Sequence, residues 1–189
     1  MTDVSFSCVC GKICGTVLQA GPARGTHAQC HCKSCRRGEI QKAPDAEAPD
    51  LIGIYQTSPH LLRIETGKDL LGAFSYGPRN LLRWYATCCG SAMFNSPRNP
   101  KMAFVGIRTD RLADTDAIGP VTGRAFVPTK GGKTRHEGLR TLVVNAVTRI
   151  LGNRFSGRWK ETPLFDLPDA TPVASVEVIA PADRARVTA

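Results

Sequence analysis

The sequence predicts a mainly β protein with antiparallel strands, whose chain continues into one amphipathic helix. Between Val4 and Ile107, short apolar, β-branched or aromatic runs recur, and clusters of Gly, Pro or Asn separate many of them. After this region the apolar residues adopt helical spacing. A chain of 189 residues is long enough for one domain with a sizeable core, or for one domain with an extension.

Six segments carry the strand pattern. Five lie in the first part of the chain and read KICGTVL, LIGIYQ, HLLRIE, LLRWYAT and AFVGIR, and a sixth, ASVEVIA, lies near the C-terminus. Such residues suit a pleated, half-buried surface, and turn residues such as those of TSP, YGPRN and SPRNP end a strand. Short strands at this pitch indicate antiparallel pairing.

A single apolar stripe predicts a helix over about residues 135–151. Thr134 and Glu137 match a capping box, which makes Thr134 the predicted N-cap, and Gly152 is the predicted end. We therefore divide the chain into a β domain at residues 1–112 and a C-terminal extension at residues 113–189. The stripe is expected to be buried against the β domain; its members are Leu139, Leu142, Val143, Ala146, Val147, Ile150 and Leu151.

Positive charge is concentrated in the second half of the chain. The formal net charge is +9, and residues 124–160 hold nine Lys and Arg side chains against one acid, Glu137. This asymmetry indicates either an acidic partner for the segment or a solvated helix face. Three aromatic side chains accompany the cations, Phe126, Phe155 and Trp159, which disfavours a base-stacking platform for nucleic acid.

The expected location is the cytoplasm, with no membrane partner. No run of eighteen apolar residues is present, and the first residues lack a basic segment followed by an apolar stretch. Disulfides are disfavoured in this compartment.

Cysteines are the strongest chemical signal in the sequence. There are eight, and seven of them fall into tight groups; all eight are Cys8, Cys10, Cys14, Cys30, Cys32, Cys35, Cys88 and Cys89. Cysteines one or two positions apart rarely reach good disulfide geometry with each other. Clustered thiols therefore favour metal binding, with one or two zinc ions as the expected cofactor.

The first predicted site combines cysteines from two distant turns. Cys8 and Cys10 precede a strand, and Cys88 and Cys89 follow another strand far along the chain. Four thiolates complete the tetrahedral shell of a structural zinc. A metal that closes so long a loop contributes directly to folding.

The second predicted site lies in the stretch QCHCKSCRRG. Cys30, Cys32 and Cys35 supply three thiolates with no fourth ligand in the same stretch, and three protein ligands with an open position are typical of a reactive zinc site. Nearby cations, among them Arg36 and Arg37, balance the thiolates and are candidate ligands for an anionic substrate. The alternative is a closed structural site completed by His27, His31 or Cys14.

Three motifs resemble a known family. CVCGKI near the start, CHCKSC about twenty residues later and WYATCCGSAMF near residue 90 are similar to the zinc-binding domain of glutathione-dependent formaldehyde-activating enzymes and centromere protein V. The resemblance covers about residues 7–112. It implies an antiparallel β fold of the β-tent type that is stapled by zinc. It places Cys8, Cys10 and Cys89 at a structural zinc and the Cys30, Cys32 and Cys35 group at a catalytic one.

The sequence departs from this family at one ligand position. The family reads aromatic-C-x-x-C-G before its last strands, but the first cysteine of that motif is Ala86 here. Cys88 is the candidate replacement, although two adjacent ligands on one zinc require a sharp turn.

Two functions follow from these observations. The first, implied by the resemblance, is a carbon–sulfur lyase acting on a thiol adduct such as S-hydroxymethylglutathione, with Cys30, Cys32 and Cys35 at the catalytic zinc and a small thiol such as glutathione as partner. The alternative is a non-catalytic zinc module whose basic helix docks on an acidic protein or nucleic acid. For the enzyme, Glu39, His27 and His31 are the nearby residues able to act as a general base.

Overall fold

The computed structural model describes residues 1–43 and 45–187, so residues 188 and 189 of the predicted extension lie outside the described residues. The fold is mainly β with open sheets, and a helix lies in the C-terminal part of the chain. These features confirm the predicted fold class.

Fourteen strands are present in the described residues. They are β1 (Thr2–Ser7), β2 (Cys14–Ala20), β3 (Thr26–Cys30), β4 (Ile52–Thr57), β5 (Leu62–Thr66), β6 (Leu71–Ser75), β7 (Leu82–Ala86), β8 (Ala92–Ser96), β9 (Val105–Arg108), β10 (Gly123–Pro128), β11 (Thr134–Glu137), β12 (Phe165–Asp166), β13 (Thr171–Pro172) and β14 (Val176–Val178). Each of the six predicted segments overlaps one of these strands.

Two sheets build the body of the protein. The smaller has the order β1-β2-β5, and the larger has nine strands in the order β11-β10-β3-β4-β9-β8-β7-β6-β14. Most neighbours are antiparallel, as predicted, but β10 pairs with β3 and β14 pairs with β6 in parallel. Strands from both sides of the predicted boundary at residue 112 therefore belong to one sheet. A separate two-stranded ribbon joins β12 and β13.

The core lies between the two main sheets. One cluster of buried side chains takes Val4, Phe6 and Val17 from the smaller sheet and Trp84 and Phe94 from the larger. The rings of Phe6 and Phe94 meet edge to face with centroids 5.4 Å apart. Aromatic pairs of this geometry stabilise a core beyond the area that they bury, which fixes one sheet on the other.

Two α-helices are present in the described residues, α1 (Lys33–Ile40) and α2 (Leu139–Ser156). Neither is long and apolar enough to cross a membrane. Helix α1 was not predicted, because its residues KSCRRGEI carry no apolar stripe. It begins where Cys32 acts as N-cap and accepts a hydrogen bond from the backbone of Cys35.

The predicted ends of α2 are wrong at both termini. Thr134 and Glu137 belong to strand β11, where Glu137 forms ion pairs with Arg124 and Arg135 instead of capping a helix. The helix starts after Gly138, whose φ of 64° is left-handed. It passes through Gly152 and ends at Gly157, which also has positive φ.

The expected burial of the α2 stripe is also wrong. The helix turns Leu142 and Asn153 into the protein, whereas most of the apolar stripe faces outward. The exposed apolar side chains are Leu139, Val143, Val144, Val147, Leu151 and Phe155. Leu142 is seated over Gly123 of β10, where a Cβ would lie 2.5 Å from the leucine Cγ. The contact face thus has mixed polarity, which an apolar periodicity does not reveal.

Candidate metal centres

Four cysteines from two distant turns form the first cluster. Cys8 and Cys10 lie between β1 and β2, and Cys88 and Cys89 lie between β7 and β8. The sulfur atoms of Cys10 and Cys88 are 3.4 Å apart, and those of Cys8 and Cys10 are 3.6 Å apart. All four sulfur atoms lie within 4.8 Å of one another. The structure therefore brings together the four residues predicted for the closed site.

A tight turn allows the adjacent residues Cys88 and Cys89 to share this cluster. The amides of Cys89 and Gly90 both donate to the carbonyl of Ala86, and Gly90 has a φ of 72°. A Cβ at Gly90 would lie 2.0 Å from the carbonyl oxygen of Lys42, so only glycine fits this position. Ala86, which stands where the resembled motif has its first cysteine, is a buried residue of β7. Cys88 lies in the cluster in its place.

Three cysteines form the second cluster. Cys30 is the last residue of β3, Cys32 caps α1, and Cys35 lies in the first turn of that helix. The sulfur atoms of Cys30 and Cys32 are 3.4 Å apart, and all three lie within 4.8 Å of one another. Among the described residues, no fourth His, Cys, Asp or Glu side chain joins these three sulfur atoms within that distance.

The surroundings of the second cluster favour a thiolate. Hydrogen bonds from Cys30 and Cys35 lower the pKa of the Cys32 thiol to about 2, and the charge of Arg83 acts in the same direction. The bond to Cys32 in turn raises the pKa of Cys30. The positive end of α1 adds to the stabilisation of negative charge at its first turn.

Both clusters fit a tetrahedral thiolate-bound metal. Zinc–sulfur bonds of about 2.3 Å in a tetrahedron place sulfur atoms roughly 3.8 Å apart. Separations in the four-cysteine cluster are 3.4, 3.6 and 3.9 Å, and the separation of Cys30 and Cys32 in the three-cysteine cluster is 3.4 Å, so all lie near that value. Each group could therefore hold a metal ion, and exclusively sulfur donors suit zinc or another thiophilic metal.

Three of the remaining ligand and base candidates, Cys14, His27 and Glu39, are engaged elsewhere. Cys14 Sγ lies 2.9 Å from the Thr66 hydroxyl, and Nδ1 of His27 lies 2.8 Å from the carbonyl oxygen of Gly119. Both oxygens of Glu39 are bound by arginines, at 2.9 Å from Arg108 and 2.9 Å from Arg111. Burial raises the pKa of Glu39 in spite of these cations.

Arg36 and Arg37 both contact backbone carbonyl groups. Nε of Arg36 donates to the carbonyl of Pro49 at 2.7 Å, and its guanidinium lies 3.7 Å from Asp50. Nε of Arg37 donates to the carbonyl of Ala185 at 2.6 Å, which fastens the C-terminal segment to α1. These contacts tie the loop after α1 and the C-terminal segment to the helix.

A cavity beside the second cluster contains residues that the sequence did not single out. Its volume is about 390 Å³, and it is lined by Ser34, Tyr76, Arg79, Asn80, Leu81 and Arg83. The guanidinium of Arg83 lies over the Tyr76 ring, 5.1 Å from its centroid. The available signal in the sequence was a lone arginine within the otherwise apolar run LRWYA, and the structure buries it.

A second cavity reaches the cluster at Cys32. It has a volume of about 380 Å³ and reaches His31, Cys32 and Lys33, with Phe126 and Lys133 on the β10–β11 hairpin. His31 thus lies at a cavity next to Cys32, outside the three-sulfur group.

Comparison with known proteins places the chain in a recognised group of sequences. A family described as a family of unknown function, DUF6151, matches residues 1–177. No curated protein matches the chain. A solved structure of a Rhodobacter sphaeroides protein is similar at 23% identity, covering 64% of this chain and 98% of that chain with a TM-score of 0.44.

Proposed function

The chain belongs to the family of unknown function DUF6151, and we propose that it is a two-zinc protein that handles a thiol adduct at its three-cysteine cluster. The proposed reaction class is that of a carbon–sulfur lyase, with S-hydroxymethylglutathione as the model substrate. The resemblance of the cysteine motifs to formaldehyde-activating enzymes supplies the reaction class.

The difference between the two clusters carries this proposal. Four sulfur atoms meet at the Cys8 group, and three meet at the Cys30 group. Four protein ligands close a structural zinc site, whereas three leave a position for an external ligand. The Cys8 group thus ties the β1–β2 turn to the β7–β8 turn, while the Cys30 group has the composition of a reactive site.

The zinc at the three-cysteine cluster would lower the pKa of a thiol or water and so supply a nucleophile at neutral pH. The protein's own contribution is charge and orientation. Arg79 and Arg83 line the adjacent cavity and are suited to bind the carboxylates of a peptide thiol. The guanidinium groups of Arg83 and Arg184 both lie over the Tyr76 ring, 5.1 and 5.3 Å from its centroid.

The chemistry of the proposed reaction is an addition. A bond forms between the thiol sulfur and the carbonyl carbon of formaldehyde, the carbonyl π bond breaks, and the proton released by the thiol ends on the new hydroxyl oxygen. The lyase direction reverses these steps, so neither an oxidant nor a reductant is required.

Exchange spectroscopy tests this function. With glutathione and ¹³C-labelled formaldehyde at equilibrium, the wild-type protein is expected to accelerate exchange between free and adduct carbon above the spontaneous rate. Cys32→Ser is expected to lose the acceleration and Cys14→Ser to retain it. A wild-type protein that holds two zinc ions yet leaves the exchange rate unchanged would exclude the lyase.

One observation favours a second candidate, a zinc-stapled docking module. Helix α2 exposes Val143, Val147 and Phe155 beside the cations Arg140 and Arg154. An apolar face with positive flanks suits an acidic protein surface. For this function, an acidic amphipathic peptide should bind with an affinity that falls steeply with salt and is lost in Val147→Asp. Duplex DNA is the second probe and tests whether the partner is a nucleic acid, whose binding should also weaken with salt.

A further inference from the structure

A third cavity lies at the end of β3 and β4 that is remote from the cysteines. It has a volume of about 350 Å³ and is lined by loop residues before β3, by the segment after β4 and by the C-terminal half of α2. Its polar lining includes Arg24, Ser58, His60, Arg149, Asn153 and Arg158. Because β3 runs from Thr26 to Cys30, the cavity is separated from the three-cysteine cluster by about 13 Å of strand.

Positive charge in this cavity lacks an acidic counterpart. None of Arg24, Arg149 and Arg158 has a carboxylate within ion-pair distance in residues 1–43 and 45–187. Glu161 acts on His60 through its charge. It forms no ion pair with any of the three arginines.

Arg149 shows the imbalance most clearly. Its guanidinium is half-buried and donates to the Thr26 hydroxyl at 3.0 Å, and burial lowers the pKa of the side chain. Removing a cation from water without a counter-charge is costly, so such groups are normally paired. An anion in the cavity would offset that cost.

Neutral polar groups complete the lining. Nδ2 of Asn153 donates to Ser58 Oγ at 2.6 Å, which leaves the serine proton available to another acceptor. His60 has a buried Nδ1 atom without a hydrogen-bond partner in the described part of the chain. A guanidinium fork, a hydroxyl and an imidazole are together the donors that oxyanions prefer.

We propose that this cavity is a binding site for an oxyanion, namely a phosphoryl or carboxylate group on a small ligand. Arg149 and Arg158 on the α2 side and Arg24 on the loop side surround the charged group. The volume admits the oxyanion with a small organic part. The site is independent of the metal centres and of the function proposed for them.

Calorimetric titration of the zinc-loaded, full-length protein tests the proposal, with inorganic phosphate and succinate as separate probes at constant ionic strength. One of them is expected to bind saturably at millimolar concentration or below. Arg158→Gln, which alters an exposed side chain, should weaken that binding about tenfold or more, because a charged hydrogen bond is lost. Arg149→Gln should have at least the same effect.

The matched control is Arg154→Gln, which removes the same charge from α2, the helix of Arg149, at a position outside the cavity lining. It is expected to leave the affinity within about twofold of the wild type. Phosphate binding with this pattern of variants identifies a phosphoryl ligand, and succinate binding with the same pattern identifies a carboxylate ligand. Absence of saturable binding by either probe, or equal losses in Arg154→Gln and Arg158→Gln, would overturn the proposal.

Discussion

Nη2 of Arg83 donates a hydrogen bond to Oγ of Ser34 at 2.9 Å, and Ser34 lies between two cysteines of the three-sulfur cluster. A side chain from the start of β7 is thereby fixed beside the first turn of α1. Gly38 permits this approach, because a Cβ there would lie 2.8 Å from Nη1 of the same arginine. The fold thus positions one buried cation between the cluster and its neighbouring cavity.

Replacing Arg83 should separate charged thiols from neutral ones. In Arg83→Gln, glutathione affinity is expected to fall about tenfold or more, while mercaptoethanol affinity changes less, because only glutathione carries carboxylates for the guanidinium. Calorimetric titration of both thiols measures the difference. Arg63→Gln, at an exposed position on β5, is the control and should bind both as the wild type does. Equal losses of affinity for the two thiols in Arg83→Gln would show that Arg83 does not bind the carboxylates of glutathione.

Loss of a ligand at the four-cysteine cluster should unfold the protein. Structural zinc sites contribute about 10–16 kcal/mol of apparent binding free energy, which is comparable to the whole stability of a domain. Cys10→Ser is therefore expected to release one zinc per chain and to lower the melting temperature sharply. Metal analysis and thermal melting measure the two effects.

Cys14→Ser is the matched control for that experiment. Cys14 contacts Thr66 and lies outside both clusters, so its replacement should leave zinc content and melting temperature nearly unchanged. Release of zinc from Cys14→Ser, or an unaltered melting temperature in Cys10→Ser, would show that the ligand assignment is wrong.

Two neighbouring positions on α2 should differ greatly in their sensitivity to the same change. Leu142 is 9% exposed and packs on β10, so Leu142→Asp should cost roughly 3–5 kcal/mol in the free energy of unfolding. Val143 is 51% exposed, so Val143→Asp should change it by less than about 0.5 kcal/mol. Urea denaturation of both variants gives the comparison. A large loss in Val143→Asp would mean that the apolar face of α2 is covered in solution.

His60 should make stability depend on pH below neutrality. Burial lowers its pKa from 6.5, Arg158 and Arg24 act in the same direction, and Glu161 opposes them. Because the folded protein holds His60 neutral, its contribution to stability is present above pH 6.5 and is lost as the pH falls through the lower folded-state pKa. His60→Gln should flatten this part of the curve of unfolding free energy against pH. His136→Gln, at an exposed position, is the control, and an equal flattening there would contradict the assignment.

The strands were predictable because their signal is local. Alternation and β-branched residues identify β2, β4, β5, β7 and β9 without knowledge of their partners. The parallel pairing of β10 with β3 joins residues about a hundred positions apart, and no local pattern encodes it. The strand β11 was mistaken for a helix start, because Thr134 and Glu137 match a capping box. In the structure both residues pair with β10 in an antiparallel hairpin.

The cysteine groups were visible in the sequence because ligand spacing is a chemical constraint as well as a structural one. The spacing predicted that Cys88 and Cys89 share one zinc, but it did not show the turn that admits two adjacent ligands, because that turn depends on the close approach of Gly90 to Lys42. Arg83 was missed because its role depends on α1, a helix without an apolar stripe. The outward face of α2 was missed because periodicity shows that a stripe exists and not which side the protein covers.

X-ray absorption at the zinc edge, with zinc stoichiometry on the same sample, tests most directly whether one cluster is closed and the other open. The wild-type protein should hold two zinc ions per chain, with an average sulfur shell below four that rises when glutathione is added. Cys32→Ser should lose one zinc, and the remaining shell should be all sulfur and insensitive to glutathione. Four sulfur or nitrogen ligands from the protein at both metals, with no change on adding glutathione, would contradict the account.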